Sequence, residues 1–239
     1  MGFIRMSSLK NNRALETVKT QLRLISGINW ILVPALIFAI PFIIFFEQGD
    51  IAFKQSWAFK VIETFSPFVG ILIGSNIFSR EWELQTNEIW LSKANSRGCI
   101  YWSRLLLIYS YIFSLASLEL LVICLFYVRM DYLEGLSVIL PPAIFLSNLG
   151  FISGLVSKNT VVAYLVPSLY WFMEISTKGK YTGIFYLFPR GSLACADACS
   201  VISTSNNWKE SKLAVLFIGV CLMLIGWIIL EKYEFIKKR

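Results

Sequence analysis

The 239-residue chain is 56% apolar and 15% charged, and it has no histidine and a net charge of +7. A soluble domain carries about 25% charged residues, so this composition argues against a soluble domain and favours a membrane protein. The lack of histidine excludes His-based catalytic dyads and His metal ligands, and the five cysteines form no CxxC pair of the kind that binds zinc or does redox chemistry.

An amphipathic segment precedes the first apolar run. Within residues 7–24, Leu9, Leu15, Val18 and Leu22 recur at near-helical spacing, with lysines and arginines between them. A helix with one apolar face and one basic face lies flat on anionic lipid. Residues 1–24 are therefore predicted to be a cytoplasmic interfacial segment.

Six apolar runs approach the roughly 20 residues that a helix needs to cross the hydrocarbon layer. They predict an all-α, polytopic membrane protein, in which one transmembrane domain (1–239) has a six-span core (25–231) and a tail (232–239). The predicted spans are residues 26–46, 58–78, 104–128, 136–156, 160–176 and 212–230.

Prolines fall inside several of these spans. Membrane helices tolerate proline where neighbouring groups satisfy the freed backbone atoms. The residues concerned are Pro34, Pro41, Pro67, Pro141, Pro142 and Pro167.

Lysine and arginine predict the orientation. The first 24 residues hold five of them, residues 79–104 hold four and the tail holds four, whereas the connections 47–57 and 129–135 hold one each. This pattern fits a multi-pass protein with both termini in the cytoplasm, and it places residues 79–104 on the cytoplasmic side.

Residues 80–91 (REWELQTNEIWL) predict a short cytoplasmic helix between spans two and three. Its polar face carries Glu81, Glu83 and Glu88 but only one basic residue, Arg80. Interfacial helices on anionic lipid usually have a basic polar face. The acidic face therefore favours docking to a protein partner over simple lipid binding.

The same stretch resembles the segment after span two in the type-2 family of ATP-binding-cassette (ABC) exporter permeases. It reads Glu81…Gln85-Thr86…Ile89-Trp90-Leu91…Ser96-Arg97, and it departs from the family at Gln85, where glycine is frequent. Residues 148–171 (NLGFISGLVSKNTVVAYLVPSLYW) are similar to the family's end of span four, Ser-Lys-Asn turn and span five. Residues 186–198 (YLFPRGSLACADA) are similar to its Pro-containing segment before the last span.

The resemblance implies a permease subunit of a bacterial plasma membrane that does no covalent chemistry and holds no cofactor. ATP and Mg would bind a separate ATP-binding subunit, and the chain indeed has no GxxxxGK[ST] phosphate loop. Other implied partners are a second permease copy or paralogue and membrane lipid, with no nucleic acid. The family's coupling helix, which docks into the ATPase, corresponds here to Arg80, Glu81, Trp82, Glu83, Gln85, Thr86, Glu88, Ile89 and Trp90.

Three carboxylates inside the predicted spans are candidate translocation-pathway residues. Glu119 lies mid-span, where a charge costs about 3 kcal/mol on translocon scales. It either faces the pathway or a dimer interface, or is protonated and hydrogen-bonded to a serine of a neighbouring helix. Glu63 and Glu174 lie nearer span ends and either line the pathway or reach the headgroups. If several of these acids line one cavity, a cationic or amphipathic substrate is expected.

Three further features leave alternatives open. Gly150 and Gly154 have the spacing that lets helices approach closely, either within the chain or between chains. Residues 177–211 predict a short or re-entrant helix near the outer surface. Cys195 and Cys199 are either two ordinary small residues or a disulfide, if their loop faces an oxidising compartment.

The resulting hypothesis is an exporter subunit that moves a peptide or antimicrobial compound, or gives immunity to one. The alternatives are a permease for lipid or drug export and a non-transporting membrane scaffold or sensor. A membrane-embedded enzyme is disfavoured, because the chain lacks histidine and has no paired acids at motif spacing.

Overall fold

A computed structural model describes residues 39–40, 51–76, 79, 97–126, 129–189 and 207–237, and no strand occurs among them. This confirms the all-α class for that part of the chain. The helices are α1 (Ile51–Phe65), α2 (Phe68–Gly74), α3 (Arg97–Phe126), α4 (Tyr132–Ser157), α5 (Thr160–Thr177) and α6 (Asn207–Lys237), with a short 3-10 helix at Gly183–Phe185.

Four stretches are long and apolar enough to cross a membrane: Trp57–Gly74, Tyr101–Phe126, Tyr132–Ser157 and Trp208–Glu231. They coincide with predicted spans two, three, four and six, as expected for a polytopic membrane protein. Helix α5 occupies the position of predicted span five but is not among the four. Apart from residues 39–40, which are helical, predicted span one lies outside the described residues. So do the interfacial segment, residues 80–91, Cys195 and Cys199.

Helix α4 lies at the centre of the bundle and packs against α2, α3, α5 and α6. Within its span 72% of the residues are buried, whereas only 22% are buried in the span of α6. The large exposed side chains of α6 include Leu213, Phe217, Val220, Leu224 and Ile228. Their three- and four-residue spacing puts them on one face, which suits contact with lipid.

Small residues allow the close contact between α2 and α4. A Cβ atom placed on Gly70 would meet the backbone of Ala143, and one placed on Gly74 would meet the backbone of Ser147. Gly154 approaches α5 in a similar way, since a Cβ atom placed on it would lie 2.9 Å from the Cβ of Ala163. Gly154 therefore serves helix packing within the chain. This is one of the two alternatives that its spacing left open.

Local signals in the sequence explain how α4 and α5 begin and end. The Asp131 side chain caps α4 by accepting from the Leu133 N–H (3.0 Å), and Asn159 caps α5 by accepting from the Val161 N–H (2.8 Å). Between the two helices, Lys158 adopts a left-handed conformation (φ 55°) that terminates α4. Lys158 and Asn159 form a tight reversal, so α4 and α5 run antiparallel.

Proline divides the first candidate span into two helices. Pro67 has no N–H, so it cannot donate to the carbonyl of Glu63 four residues earlier. Helix α1 ends at Phe65, and the chain then turns through hydrogen bonds from Val69 N to Ser66 O (3.1 Å) and from Gly70 N to Pro67 O (2.9 Å). The carboxyl end of α1 therefore lies inside the bundle, and there it meets the other helices.

Candidate functional site

The carboxyl end of α1 contacts three different helices through polar groups. Glu63 pairs with α6, the Thr64 carbonyl accepts from Trp171 Nε1 of α5 (2.8 Å), and the Ser66 hydroxyl donates to Glu119 of α3. These three residues, at and just after the end of α1, lie within four consecutive positions. The end of α1 is thus the point where the polar interactions of the bundle converge.

Glu63 and Lys212 form a buried ion pair. Glu63 Oε1 lies 2.7 Å from Lys212 Nζ, and the two side chains are 0% and 4% exposed. The same ammonium group donates to the carbonyls of Val138 (3.0 Å) and Leu187 (2.7 Å). All three N–H groups of the lysine therefore have partners, which is the condition for burying a charge in an apolar interior.

The sequence explains why the carbonyl of Val138 can accept from Lys212. In a regular helix it would accept from the N–H of residue 142, but that residue is Pro142, which has none. Lys212 of α6 supplies the missing donor. The proline in α4 thus creates an acceptor for a side chain from another helix.

The same relationship occurs between α5 and the end of α2. Pro167 cannot donate to the carbonyl of Ala163, and the Ser75 hydroxyl donates to that oxygen instead (2.8 Å). Ser75 is completely buried. These two cases show how neighbouring side chains satisfy backbone atoms freed by proline, as the sequence led us to expect.

Glu119 is buried in α3 and accepts a hydrogen bond from Ser66 (Oγ–Oε1 2.6 Å). A serine contact from a neighbouring helix was one of the two arrangements considered for this residue. Because Ser66 lies three positions after Glu63, this contact lies next to the ion pair along the chain. It connects α3 to the same end of α1.

Glu174 is buried near the end of α5. Its Oε2 accepts from the Thr182 hydroxyl (3.1 Å) and from the Leu187 N–H (3.4 Å). The carbonyl of Leu187 accepts from Lys212. A single residue of the segment before α6 therefore connects Glu174 to the Glu63–Lys212 pair.

We call these six residues the buried polar network: Glu63, Ser66, Glu119, Glu174, Leu187 and Lys212. The structure brings all three predicted pathway acids into it, Glu63 and Glu174 through Lys212 and Leu187, and Glu119 through Ser66. None of the three lines the large groove between α4 and α6, which has a volume of about 840 Å³. The arrangement fixes helix ends by electrostatic contacts and holds charge within the bundle.

Sequence reasoning missed Lys212, Ser66 and Ser75. Lys212 stands at the start of an apolar run and was assigned to a span edge, where lysine usually reaches water. One carbonyl that accepts from Lys212, that of Val138, is followed four residues later by a proline. The carbonyl that accepts from Ser75, that of Ala163, is followed by a proline at the same distance. No comparable signal identifies Ser66 as the donor to Glu119.

The predicted ATPase-coupling residues, Arg80 to Trp90, lie outside the described residues. Among those that are described, no group of three or more His, Cys, Asp or Glu side chains is arranged to hold a metal ion. Comparison with family models, curated proteins and solved structures found no match.

Proposed function

We propose that this chain is the transmembrane permease subunit of an ATP-driven exporter of the type-2 ABC family. The exporter would move a peptide or antimicrobial compound out of the cell, or it would make the cell immune to such a compound. The stretches at 80–97, 148–171 and 186–198 carry the resemblance. In the second of these, α4 ends at Ser157, Lys158 and Asn159 form a turn, and α5 begins at Thr160.

The observation that carries the proposal is the buried polar network inside apolar helices. Ionisable side chains within membrane-spanning segments are costly, and they usually mark transport pathways or moving parts. Here an ion pair and Glu119 are buried within candidate spans, and Glu174 is buried near the end of α5.

In the proposed mechanism, closure of two partner ATPases pushes on residues 80–91. The spans then change from an inward-facing to an outward-facing arrangement, with the pathway between two permease copies. The hydrogen bonds at the end of α1 reach α3, α5 and α6. A displacement of α1 would therefore change the position of all three helices together.

A pull-down of the solubilised chain with candidate ATP-binding subunits encoded beside it tests the proposal. The wild type is compared with a Glu81→Lys, Trp90→Ala double variant, in which the predicted docking surface is altered. A Trp102→Ala, Glu210→Lys double variant is the matched control, since it makes the same two changes at exposed positions of α3 and α6. Thermal unfolding verifies that each variant is folded.

We expect the wild type and the control to retain the ATPase and the docking variant to lose it. If no variant, including the wild type, binds an ATPase, the exporter proposal is wrong and the scaffold or sensor alternative is preferred. If the docking variant binds as well as the control, residues 80–91 are not the coupling surface.

Substrate class is tested by growth of cells that express the chain with its ATPase in the presence of a panel of cationic antimicrobial peptides. Protection that disappears in a Glu63→Gln, Glu119→Gln, Glu174→Gln triple variant supports a cationic substrate if ATPase binding and thermal unfolding both match the wild type, because Glu63→Gln also leaves Lys212 buried without its carboxylate. Unchanged protection in that variant contradicts a role of these acids in the pathway.

A further inference from the structure

A groove of about 840 Å³ runs between the first halves of α4 and α6. This volume lies within the range of about 300–1,000 Å³ that is typical of sites for small ligands. Its walls are apolar and are formed by Leu140, Pro141, Ile144, Leu213 and Leu216. At one end it carries charged side chains, Asp131 and Glu134 on α4 and Lys209 on α6.

The bounds of the candidate spans indicate at what depth in a membrane the groove lies. The candidate spans of α4 and α6 begin at Tyr132 and Trp208, so the charged end lies at the first turn of both spans. That is the headgroup level. The apolar walls continue for two to three helical turns into the spans, because Ile144 lies 12 residues after Tyr132 and Leu216 lies eight after Trp208. An occupant must therefore be amphipathic.

The groove is open to the side. Leu133 and Leu213 on its walls are 72% and 66% exposed, so an occupant can enter from the bilayer without crossing water. Lateral entry favours a membrane lipid over a water-soluble ligand. Trp208 lines the charged end of the groove and is buried, at a level where aromatic side chains commonly meet headgroups.

The charges at the charged end are of both signs, with the carboxylates on the α4 side and the lysines on the α6 side. Lys212 also lines the groove, but its three N–H groups donate to Glu63, Val138 and Leu187. Lys209 is exposed, with its ammonium 5.7 Å from the centre of the Trp208 ring, and it is the cation that can meet a phosphate. Asp131, whose carboxylate also caps α4, and Glu134 line the groove on the α4 side, and carboxylates match an amine.

We propose that this groove binds a phospholipid whose headgroup carries both a phosphate and a primary amine, as in phosphatidylethanolamine. Lys209 contacts the phosphate, the α4 carboxylates contact the ammonium group, and one acyl chain lies along the apolar walls. This inference does not depend on the exporter assignment. It concerns the lipid that surrounds the protein, whichever cargo the protein handles.

Native mass spectrometry of the detergent-solubilised chain tests the proposal, after addition of phosphatidylethanolamine, phosphatidylglycerol of the same acyl composition, or glycerophosphoethanolamine alone. We expect one retained phosphatidylethanolamine, with weaker retention of phosphatidylglycerol and none of the headgroup alone. Lys209→Gln should weaken retention about tenfold, the loss expected for one charge-assisted hydrogen bond. Glu210→Gln, which changes an exposed neighbour that does not line the groove, should leave retention unchanged.

Two further results locate the lipid. An acyl-chain diazirine on phosphatidylethanolamine should label Ile144 or Leu216 in the wild type, and an Ile144→Trp variant, which fills the groove, should abolish retention. Equal retention of phosphatidylethanolamine and phosphatidylglycerol would overturn the headgroup assignment. Retention that survives Ile144→Trp, or labelling confined to the exposed face of α3, would place the lipid elsewhere and overturn the site.

Discussion

Glu63 of α1 and Lys212 of α6 form an ion pair across two candidate spans, with 2.7 Å between Oε1 and Nζ and almost no exposure to solvent. The lysine also donates to the carbonyls of Val138 and Leu187. Three elements of the bundle besides α6 therefore depend on one ammonium group. Removing either charge leaves the other buried without compensation, which is the costly way to break such a pair.

We predict that Lys212→Met destabilises the protein by about 3–5 kcal/mol, the range measured when one partner of a buried pair is removed. A Glu63→Leu, Lys212→Met double variant should recover part of this loss, since no charge is then buried, although the Val138 and Leu187 carbonyls still lack a donor. Reversible unfolding in mixed micelles measures both values.

Lys209→Met, at an exposed neighbour, is the control and should change stability by less than about 1 kcal/mol. A Lys212→Met variant as stable as this control would contradict the prediction.

Ser66→Ala is predicted to cost about 1–3 kcal/mol, because it leaves the buried carboxyl of Glu119 without its hydroxyl donor. Glu119→Gln keeps an acceptor at the same position and should remain close to the wild type, whereas Glu119→Ala should not. The same unfolding assay separates them. Ser110→Ala is the matched control, because that hydroxyl is exposed and donates to Leu107 within α3. If Glu119→Gln is as damaging as Glu119→Ala, the hydrogen bond is not the reason for the stability of this site.

Ser75 and Pro167 are predicted to be energetically coupled. Ser75→Ala should cost about 1 kcal/mol in the wild type, where its hydroxyl satisfies the carbonyl of Ala163. In a Pro167→Ala background residue 167 recovers an N–H, so the carbonyl has its helical partner and the serine becomes less important. A double-mutant cycle should give a coupling energy of about 0.5–1 kcal/mol. The control pair, Pro167→Ala with Ser110→Ala, should have additive effects. If the effects of Ser75→Ala and Pro167→Ala are also additive, the proline does not create the acceptor.

Two glycines should respond in opposite ways to alanine. Gly74→Ala is predicted to destabilise by about 1–3 kcal/mol, since the new Cβ would meet the backbone of Ser147 and force α2 away from α4. At Gly219 the nearest atom to a new Cβ is Phe145 Cα at 3.4 Å, an ordinary contact. Gly219→Ala should therefore be neutral or stabilising, because alanine favours a helix by up to about 1 kcal/mol. Equal losses at both positions would rule out close α2–α4 packing as the cause.

The sequence predicts the apolar helical stretches well, since long apolar runs leave few alternatives, and four of the six predicted spans coincide with stretches of sufficient length and apolarity, one of them divided at Pro67. It also identifies Glu63, Glu119 and Glu174, because carboxylates in apolar runs are conspicuous. It does not predict their partners. Ser66 and Lys212 meet these acids only because Pro67 ends α1 inside the bundle and α6 begins beside it, and such contacts depend on how the helices pack.

Proline gives part of the missing information. The carbonyls of Val138 and Ala163 precede Pro142 and Pro167 by four residues, and both accept from a buried side chain of another element. In a run of apolar residues, a carbonyl four positions before a proline is thus a place to look for a partner. Which lysine or serine supplies the donor still depends on the three-dimensional arrangement.

The break at Pro67 gives the two halves of one candidate span different sensitivities. Helix α1 is held at its carboxyl end by charge and hydrogen bonding, through Glu63 and Ser66, whereas α2 is held by steric contact of Gly70 and Gly74 with α4. Water reaching the bundle interior would weaken the first kind of contact by raising the local dielectric constant, and it would leave the second largely unaffected. Hydration of the bundle would therefore loosen α1 while α2 remains in place, so that the span flexes about its midpoint instead of moving as a rigid rod.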